Sequence, residues 1–438
     1  MPRTVDVTAF GAAGDGVTDD SAAINRAIAV LQPGDTLDFP NRDQGYRIGE
    51  AVLALPDGAA LSHLAGIDHL APPSGAALRV CANASGIISG AAGHVFDTGQ
   101  VLYRYPVTVY AGNVVFPAGA TQGLMVYMRP EILSVATVNA DLTTVQPLAD
   151  IVEHSTREGY FDPCLIQLED GSFRAVYLTI QGPNSAIAIR SSTDGGRSWG
   201  HTQSITPADP TRQGFAEPFA LRLKDPERVI LCWLDRDRTG RRDAVHRTAF
   251  SDDGLVSVSI QTVVTPTSGP ASAGHIVDNS RASIYELPDG TLGLLYSRKV
   301  GASAAEVWGR LLTRTGVPMS EPVRITTVPR VSNDRLQIGC DPIVARLRDG
   351  TFALYFSAVD LGAVHSYYGE LHLMLSNDGR PESFRHDRTV ILVSDVGGGY
   401  GRPWPVCLPN GDVALAMSRA AAGQAAYLVV ARHYHVCA

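Results

Sequence analysis

Nowhere in the 438 residues is there a run of the roughly 18 to 20 apolar side chains that a membrane-crossing helix needs. The opening MPRTVDVTAF also lacks a charged stretch leading into an apolar one, so a soluble chain with no secretory signal is expected. Cations are not in excess: 36 Lys plus Arg stand against 44 Asp plus Glu, a net charge of −8. That balance offers no broad positive field to nucleic acid or to an anionic membrane. Cysteine is sparse, with Cys81, Cys164, Cys232, Cys340, Cys407 and Cys437 and no CxxC pair among them. Neither a disulfide framework nor a zinc site fits such spacing, and the thiols read as small core residues. His154, His275, His365 and His372 lack ligand-like spacing, and His433-Tyr434-His435 falls in a last strand or a tail. Asp15, Asp19 and Asp20 lack an EF-hand's alternating oxygens and terminal Glu, so no metal and no other cofactor is expected. Long helical patterns are scarce too. The 43 glycines and 27 prolines instead punctuate short apolar runs, which indicates an all-β chain of many strands and tight turns.

What the sequence does have is repetition. LEDGSFRAVY (Leu168 to Tyr177), LKDPERVILCW (Leu223 to Trp233), LPDGTLGLLY (Leu287 to Tyr296), LRDGTFALYF (Leu347 to Phe356) and LPNGDVALAM (Leu408 to Met417) share a Leu, a two-residue Asp/Asn-Gly-type turn and an alternating apolar strand. Each predicts a β-hairpin. The leucines lie 55, 64, 60 and 61 residues apart, which fits four-stranded propeller blades with longish loops. The strands entering the hairpins, FDPCLIQL, AEPFALRL, SRASIYEL, CDPIVARL and GRPWPVCL, each carry a charged residue six positions before the Leu: Asp162, Glu217, Arg281, Asp341 and Arg402. A less regular unit precedes them, its first strand being either Arg104-Tyr105-Pro106 or the stretch around Val109 to Phe116. The expected fold is all-β, a six-bladed β-propeller over residues 99–438, with five blades as the alternative.

Innermost propeller strands line the axis, so the five charges, together with Arg104, converge on one pocket. Carboxylates accept sugar hydroxyls and arginine forks match a carboxylate, so such a ring suits a polyhydroxylated ligand. Mutual pairing that merely closes the ring is the competing reading, because buried charges need partners. Asp162, Glu217 and Asp341 are the candidate catalytic carboxylates, and their separation would decide inversion or retention at a glycosidic bond. Arg104, Arg281, Arg402, Tyr400 and Trp404 are the candidate ligand-binding residues. Tyr160, Tyr367, Tyr368 and Trp308 are further candidates for a nucleophile or a stacking face, against blade packing.

Ser192-Thr193-Asp194-Gly195-Gly196-Arg197-Ser198-Trp199 resembles the Asp box of sialidase-like (BNR) propellers, S-x-D-x-G-x-[ST]-W. Shorter echoes stand at Ser251-Asp252-Asp253-Gly254, Ser376-Asn377-Asp378-Gly379 and Asn139-Ala140-Asp141. In that family the box is structural and lies away from the active face. The resemblance also implies an arginine group for a substrate carboxylate, a Glu-activated Tyr and an acid/base Asp. Arg104 in Tyr103-Arg104-Tyr105-Pro106, Glu217 and Arg281 match three of these roles, whereas Asp341 stands where the third Arg belongs and Arg402 comes one blade late.

Ahead of the propeller, Phe10-Gly11-Ala12-Ala13-Gly14-Asp15-Gly16-Val17-Thr18-Asp19-Asp20 precedes the helical pattern SAAINRAIAVL, capped by the aspartates. This resembles the opening of pectate-lyase-like right-handed β-helices, and implies a short helix plus a truncated β-helix over residues 1–98 that caps or attaches. A β-helix opening fused to a sialidase-like propeller is similar in plan to phage tailspikes and fibres. That plan implies a spike on a virion or phage-derived particle, released by lysis, commonly trimeric, touching other particle proteins through its N-terminal segment and binding bacterial surface polysaccharide. The alternative is an active sialidase-like glycoside hydrolase or polysaccharide depolymerase using the central carboxylates.

Overall fold

A computed structural model describes residues 3–15, 18–32, 35–40, 60–62, 94–96, 100–103, 110–129, 132–152, 158–181, 184–209, 213–237, 244–265, 279–300, 304–325, 337–360, 370–392, 398–421 and 427–435. The N-terminal piece holds β1 (Thr4–Asp6), helix α1 (Ser21–Ala29), β2 (Thr36–Asp38) and β3 (Ala60–Ser62). Helix α1 buries Ala23, Ile24 and Ala27, one apolar face at helical spacing. Asp20 stands at its N-cap position without capping it: the carboxylate instead accepts the backbone N–H groups of Ala13, at 2.6 Å, and Gly14, at 3.3 Å, and so fastens the preceding loop. The three strands pair in parallel, Thr4 opposite Thr36 and Thr36 opposite Ala60. Among the described residues this piece holds one α-helix, a 3-10 turn at Val7–Phe10 and one small sheet of three parallel strands, which by themselves do not make the β-helix expected.

The remainder is built of antiparallel meanders. They are β6 to β9 (Tyr110–Val115, Gln122–Arg129, Ile132–Asn139, Val145–Val152), β10 to β13 (Glu158–Gln167, Phe173–Gln181, Asn184–Ser192, Gly200–Ile205) and β14 to β17 (Gln213–Leu223, Arg228–Asp237, Ala244–Ser251, Ser259–Val263). There follow β18 to β21 (Asn279–Glu286, Leu292–Val300, Ala304–Leu312, Val323–Arg324), β22 to β25 (Gln337–Arg346, Phe352–Asp360, Glu370–Ser376, Arg385–Leu392) and β26 to β28 (Gly398–Cys407, Val413–Ala421, Tyr427–His435). Two short strands from earlier in the chain, β4 (His94–Phe96) and β5 (Gln100–Tyr103), pair with β28 and complete the last sheet. The arrangement is an all-β propeller, with five hydrogen-bonded sheets among the described residues rather than six. A single parallel bridge, Ala305 to Ile338, joins β20 to β22 and fuses two meanders into one eight-stranded sheet.

The repeated hairpins form where the sequence places them, with one difference in their turns. The Leu168 N–H donates to the carbonyl of Ser172, and that of Gly171 donates back to Leu168, which makes a loop of three residues rather than two. Leu287, Leu347 and Leu408 repeat the pattern, and the glycine closing each loop has a φ of 79° to 93° that other residues adopt at a cost. Sheets stack face to face, so middle strands bury both surfaces and β7 reads QGLMVYMR, a near-continuous apolar run instead of an alternation. Between β12 and β13, Asp194 accepts from the Ser198 N–H and hydroxyl and from Ser192, while the Trp199 indole donates to the Gly196 carbonyl. These bonds hold the Asp194 carboxyl well below the usual carboxylate range, the Ser198 hydroxyl contributing most. Ser251 with Asp253 and Ser257, and Ser376 with Asp378 and Ser383, close the equivalent turns one and three meanders later.

Candidate active site

The first strand of every meander lies innermost. β6, β10, β14, β18, β22 and β26 pack each against the next, and β26 returns to β6, which closes a ring. Each of the six is bulged at the same place: between Ala111 and Val114, Phe161 and Cys164, Ala216 and Phe219, Ser280 and Ser283, Cys340 and Ile343, and Gly401 and Trp404. The bulges contain the residues six before each hairpin Leu. Asp162, Glu217, Asp341 and Arg402 take left-handed φ values of 50° to 55°, an uncommon conformation for such residues and one that concentrates at functional sites. Each of these four is followed by proline, whose missing N–H leaves no donor stranded in the interrupted ladder. Bulge and proline together aim four charged side chains off the sheet at one level of the ring.

The structure brings Asp162, Glu217, Arg281, Asp341 and Arg402 together. The Arg402 guanidinium donates to the Asp162 carboxylate, their side chains 23% and 8% exposed. The strand between them, β6, has Gly112 in its bulge, where the other inner strands place a charged residue. Arg281 is buried, donates to the Pro403 carbonyl at 3.3 Å and lies 4.2 Å above the Trp404 ring. Burial lowers its pKa, against the pull of Asp341, Asp162 and Glu217. Asp341 is buried at the same level. Glu217 is 15% exposed; its Oε1 lies 3.7 Å from Arg236 on β15, and its Oε2 is buried with no hydrogen-bond partner among the described residues. Burial pushes its carboxyl up to about 7; Arg236 opposes the shift, Asp162 and Asp341 add to it, and Arg402 opposes it.

The remaining sequence candidates are in part outside the described residues. Arg104, Tyr367, Tyr368, His154, His275 and His365 lie outside the described residues, as do the side chains of Tyr160 and Tyr400. Trp404 belongs to the packing beneath the ring: it is buried, stacked on Phe219 at 5.7 Å with the planes 4° apart, and it supports Arg281. Trp308 lies on β20, third strand of its meander, under Arg298, and His372 is buried against Phe356. Among the described residues no group of three His, Cys, Asp or Glu is placed to hold a metal ion. Three participants escaped the sequence reading. Gly112 carries no charge to match the repeat, Arg236 sits on a second strand outside it, and Phe161, a 38% exposed aromatic, directly precedes Asp162. The motif Asp-Pro after an aromatic was the available signal for Phe161.

No family model and no curated protein matches the chain. Solved structures do. The α-L-arabinanase of Penicillium chrysogenum, complexed with arabinobiose, is similar over 78% of this chain and 99% of its own, with a TM-score of 0.56 and 14% identity. The α-L-arabinofuranosidase of Fusarium graminearum, also with arabinobiose, covers 78% and 97%, with a TM-score of 0.54 and 17% identity. A Hadza microbial sialidase covers 78% and 69%, with a TM-score of 0.54 and 14% identity. The propeller fold is thus one found among carbohydrate-active enzymes.

Proposed function

We propose that the chain is a glycoside hydrolase whose central face binds and cleaves a polysaccharide. The observation that carries this reading is Glu217, a carboxyl held near neutrality by burial and flanked by two further carboxylates on the ring. A protonated carboxyl at neutral pH is what protonation of a glycosidic oxygen requires, and an ionised partner then balances the oxocarbenium-like charge or attacks it. Glu217 takes the proton-donor role. Asp341 takes the partner role, since Asp162 is engaged with Arg402 and that pair suits sugar hydroxyls. Fold similarity to an arabinanase, an arabinofuranosidase and a sialidase supports the substrate class by analogy.

The test is release of reducing sugar from arabinan, sialylated glycans and bacterial capsule by the wild-type protein and by Glu217→Gln. The expected result is release from at least one of them, reduced by roughly 100-fold or more in the variant, with glycan binding retained. Binding without release by the wild type would replace the enzyme with a pure glycan-binding protein.

The finer architecture belongs to the same proposal: the eight-stranded sheet acts as two blades, six in all, because six bulged inner strands share the ring. A second reading, a spike protein on a virion or phage-derived particle, is favoured by the in-register parallel stack of Thr4, Thr36 and Ala60, the geometry with which a β-helix begins. Residues 1–98 would then serve attachment and 99–438 the glycan. A mass measurement in solution that gave a monomer would remove the trimer from that reading.

A further inference from the structure

Glu217 projects from the bulge of β14 into a field of charges supplied by five other strands. Asp162 comes from β10, Arg281 from β18, Asp341 from β22, Arg402 from β26 and Arg236 from β15. Most of these already have partners: Arg402 holds Asp162, and Arg281 is committed to the Pro403 carbonyl and the Trp404 ring. Among the described residues Arg236 is the cation within ion-pair distance of Glu217, 3.7 Å from Oε1. It stands on the second strand of the same hairpin, opposite Gly214, and its side chain is 48% exposed. Among the described residues the other carboxylate oxygen is buried without a donor, so no hydrogen bond there stabilises the ionised form.

We propose that Arg236 is the positioning residue of this site: it holds one oxygen of Glu217 and fixes how readily that side chain gives up its proton. The proposal rests on the reading of Glu217 as proton donor and adds the group that governs it. Desolvation and two neighbouring acids favour the neutral carboxyl, while a guanidinium within 4 Å favours the carboxylate; the balance between them decides the pH at which the donor is lost. An Arg at the solvent edge can exert this pull while its side chain stays half exposed.

The test is a direct titration of Glu217 by the carboxyl carbon resonance of glutamate-labelled full-length protein, assigned by its disappearance in Glu217→Gln. In Arg236→Gln the midpoint is expected to rise by about one pH unit, the lower end of what a charge this close exerts, since the guanidinium is half in water. Arg236→Lys, which keeps the charge, is expected to stay near the wild type. In an active enzyme the alkaline limb of the kcat profile should rise in step, with kcat on the acid side preserved. An unmoved midpoint in Arg236→Gln, or a Lys variant that behaves like the Gln variant, would overturn the proposal. Should Arg236→Gln fail to fold, Arg236→Met, which also removes the charge, replaces it: its midpoint must rise, and no rise refutes the role of Arg236. Absence of sugar release by the wild type would refute the hydrolase reading while leaving this titration decisive for Arg236.

Discussion

At Glu217 the folded chain keeps a proton that the unfolded chain releases. Below the ordinary carboxylate value of 4.5 both states are protonated; between there and about 7 the unfolded state is ionised and the folded state is not. Stability from this group is therefore fully present below 4.5 and is lost as pH rises towards 7, by about 3 kcal/mol at most. Glu217→Gln should remove that decline, so urea denaturation at pH 4 and pH 8 should show the variant gaining on the wild type as pH rises. Parallel pH profiles would show that Glu217 titrates normally. The Arg402 and Asp162 pair sets a second expectation. Removing the cation with Arg402→Met strands a carboxylate that is 8% exposed, and should cost about 2 kcal/mol, less than a fully buried pair because Arg402 itself reaches water. Asp162→Asn in the same chain should recover most of that loss, and a double-mutant cycle measures the coupling.

Strand β6 explains what the sequence concealed about the ring. Five inner strands declare themselves by a charge six before a hairpin Leu, and four of those by a following proline. β6 offers Gly112 and Asn113 in the bulge instead, so its position stayed open between two stretches until the backbone placed it at Tyr110–Val115. Its glycine is required by packing: a Cβ there would lie 2.6 Å from Val126 Cγ1, 2.8 Å from the Val126 carbonyl and 3.0 Å from that of Pro163. Asn113 meanwhile exchanges two hydrogen bonds of 2.6 Å with the backbone of Leu165 and so ties β6 to β10. Gly112→Ala should therefore destabilise by about 1 to 3 kcal/mol, read as a lower denaturation midpoint. The hairpins and the charge ring were legible because they repeat. Arg236 and the stacking of Trp404 on Phe219 were not, since each depends on which strands become neighbours.

For the molecule as a whole the decisive feature is how the ring closes. The last sheet contains three strands from the C-terminal end of the chain and draws its outer partners from β4 and β5, which precede the first meander. His433 pairs with Phe96 and His435 with His94, while Val430 pairs with Gln100 and Leu428 with Tyr103. The two ends of the propeller are thus held by main-chain ladders, and without them β28 becomes an exposed edge, a site for pairing with other chains. Two truncations separate this closure from the N-terminal piece. A chain starting after Ser62 lacks α1 and β1 to β3 but keeps β4 and β5, and should melt near the full-length temperature. A chain starting after Tyr103 also lacks the closing strands and should melt roughly 5 °C or more lower, with a tendency to associate that light scattering would detect. Equal melting of the two would mean that β4 and β5 contribute no closure, and that the innermost ring of bulged strands, with the charges it carries, is held by sheet-to-sheet packing alone.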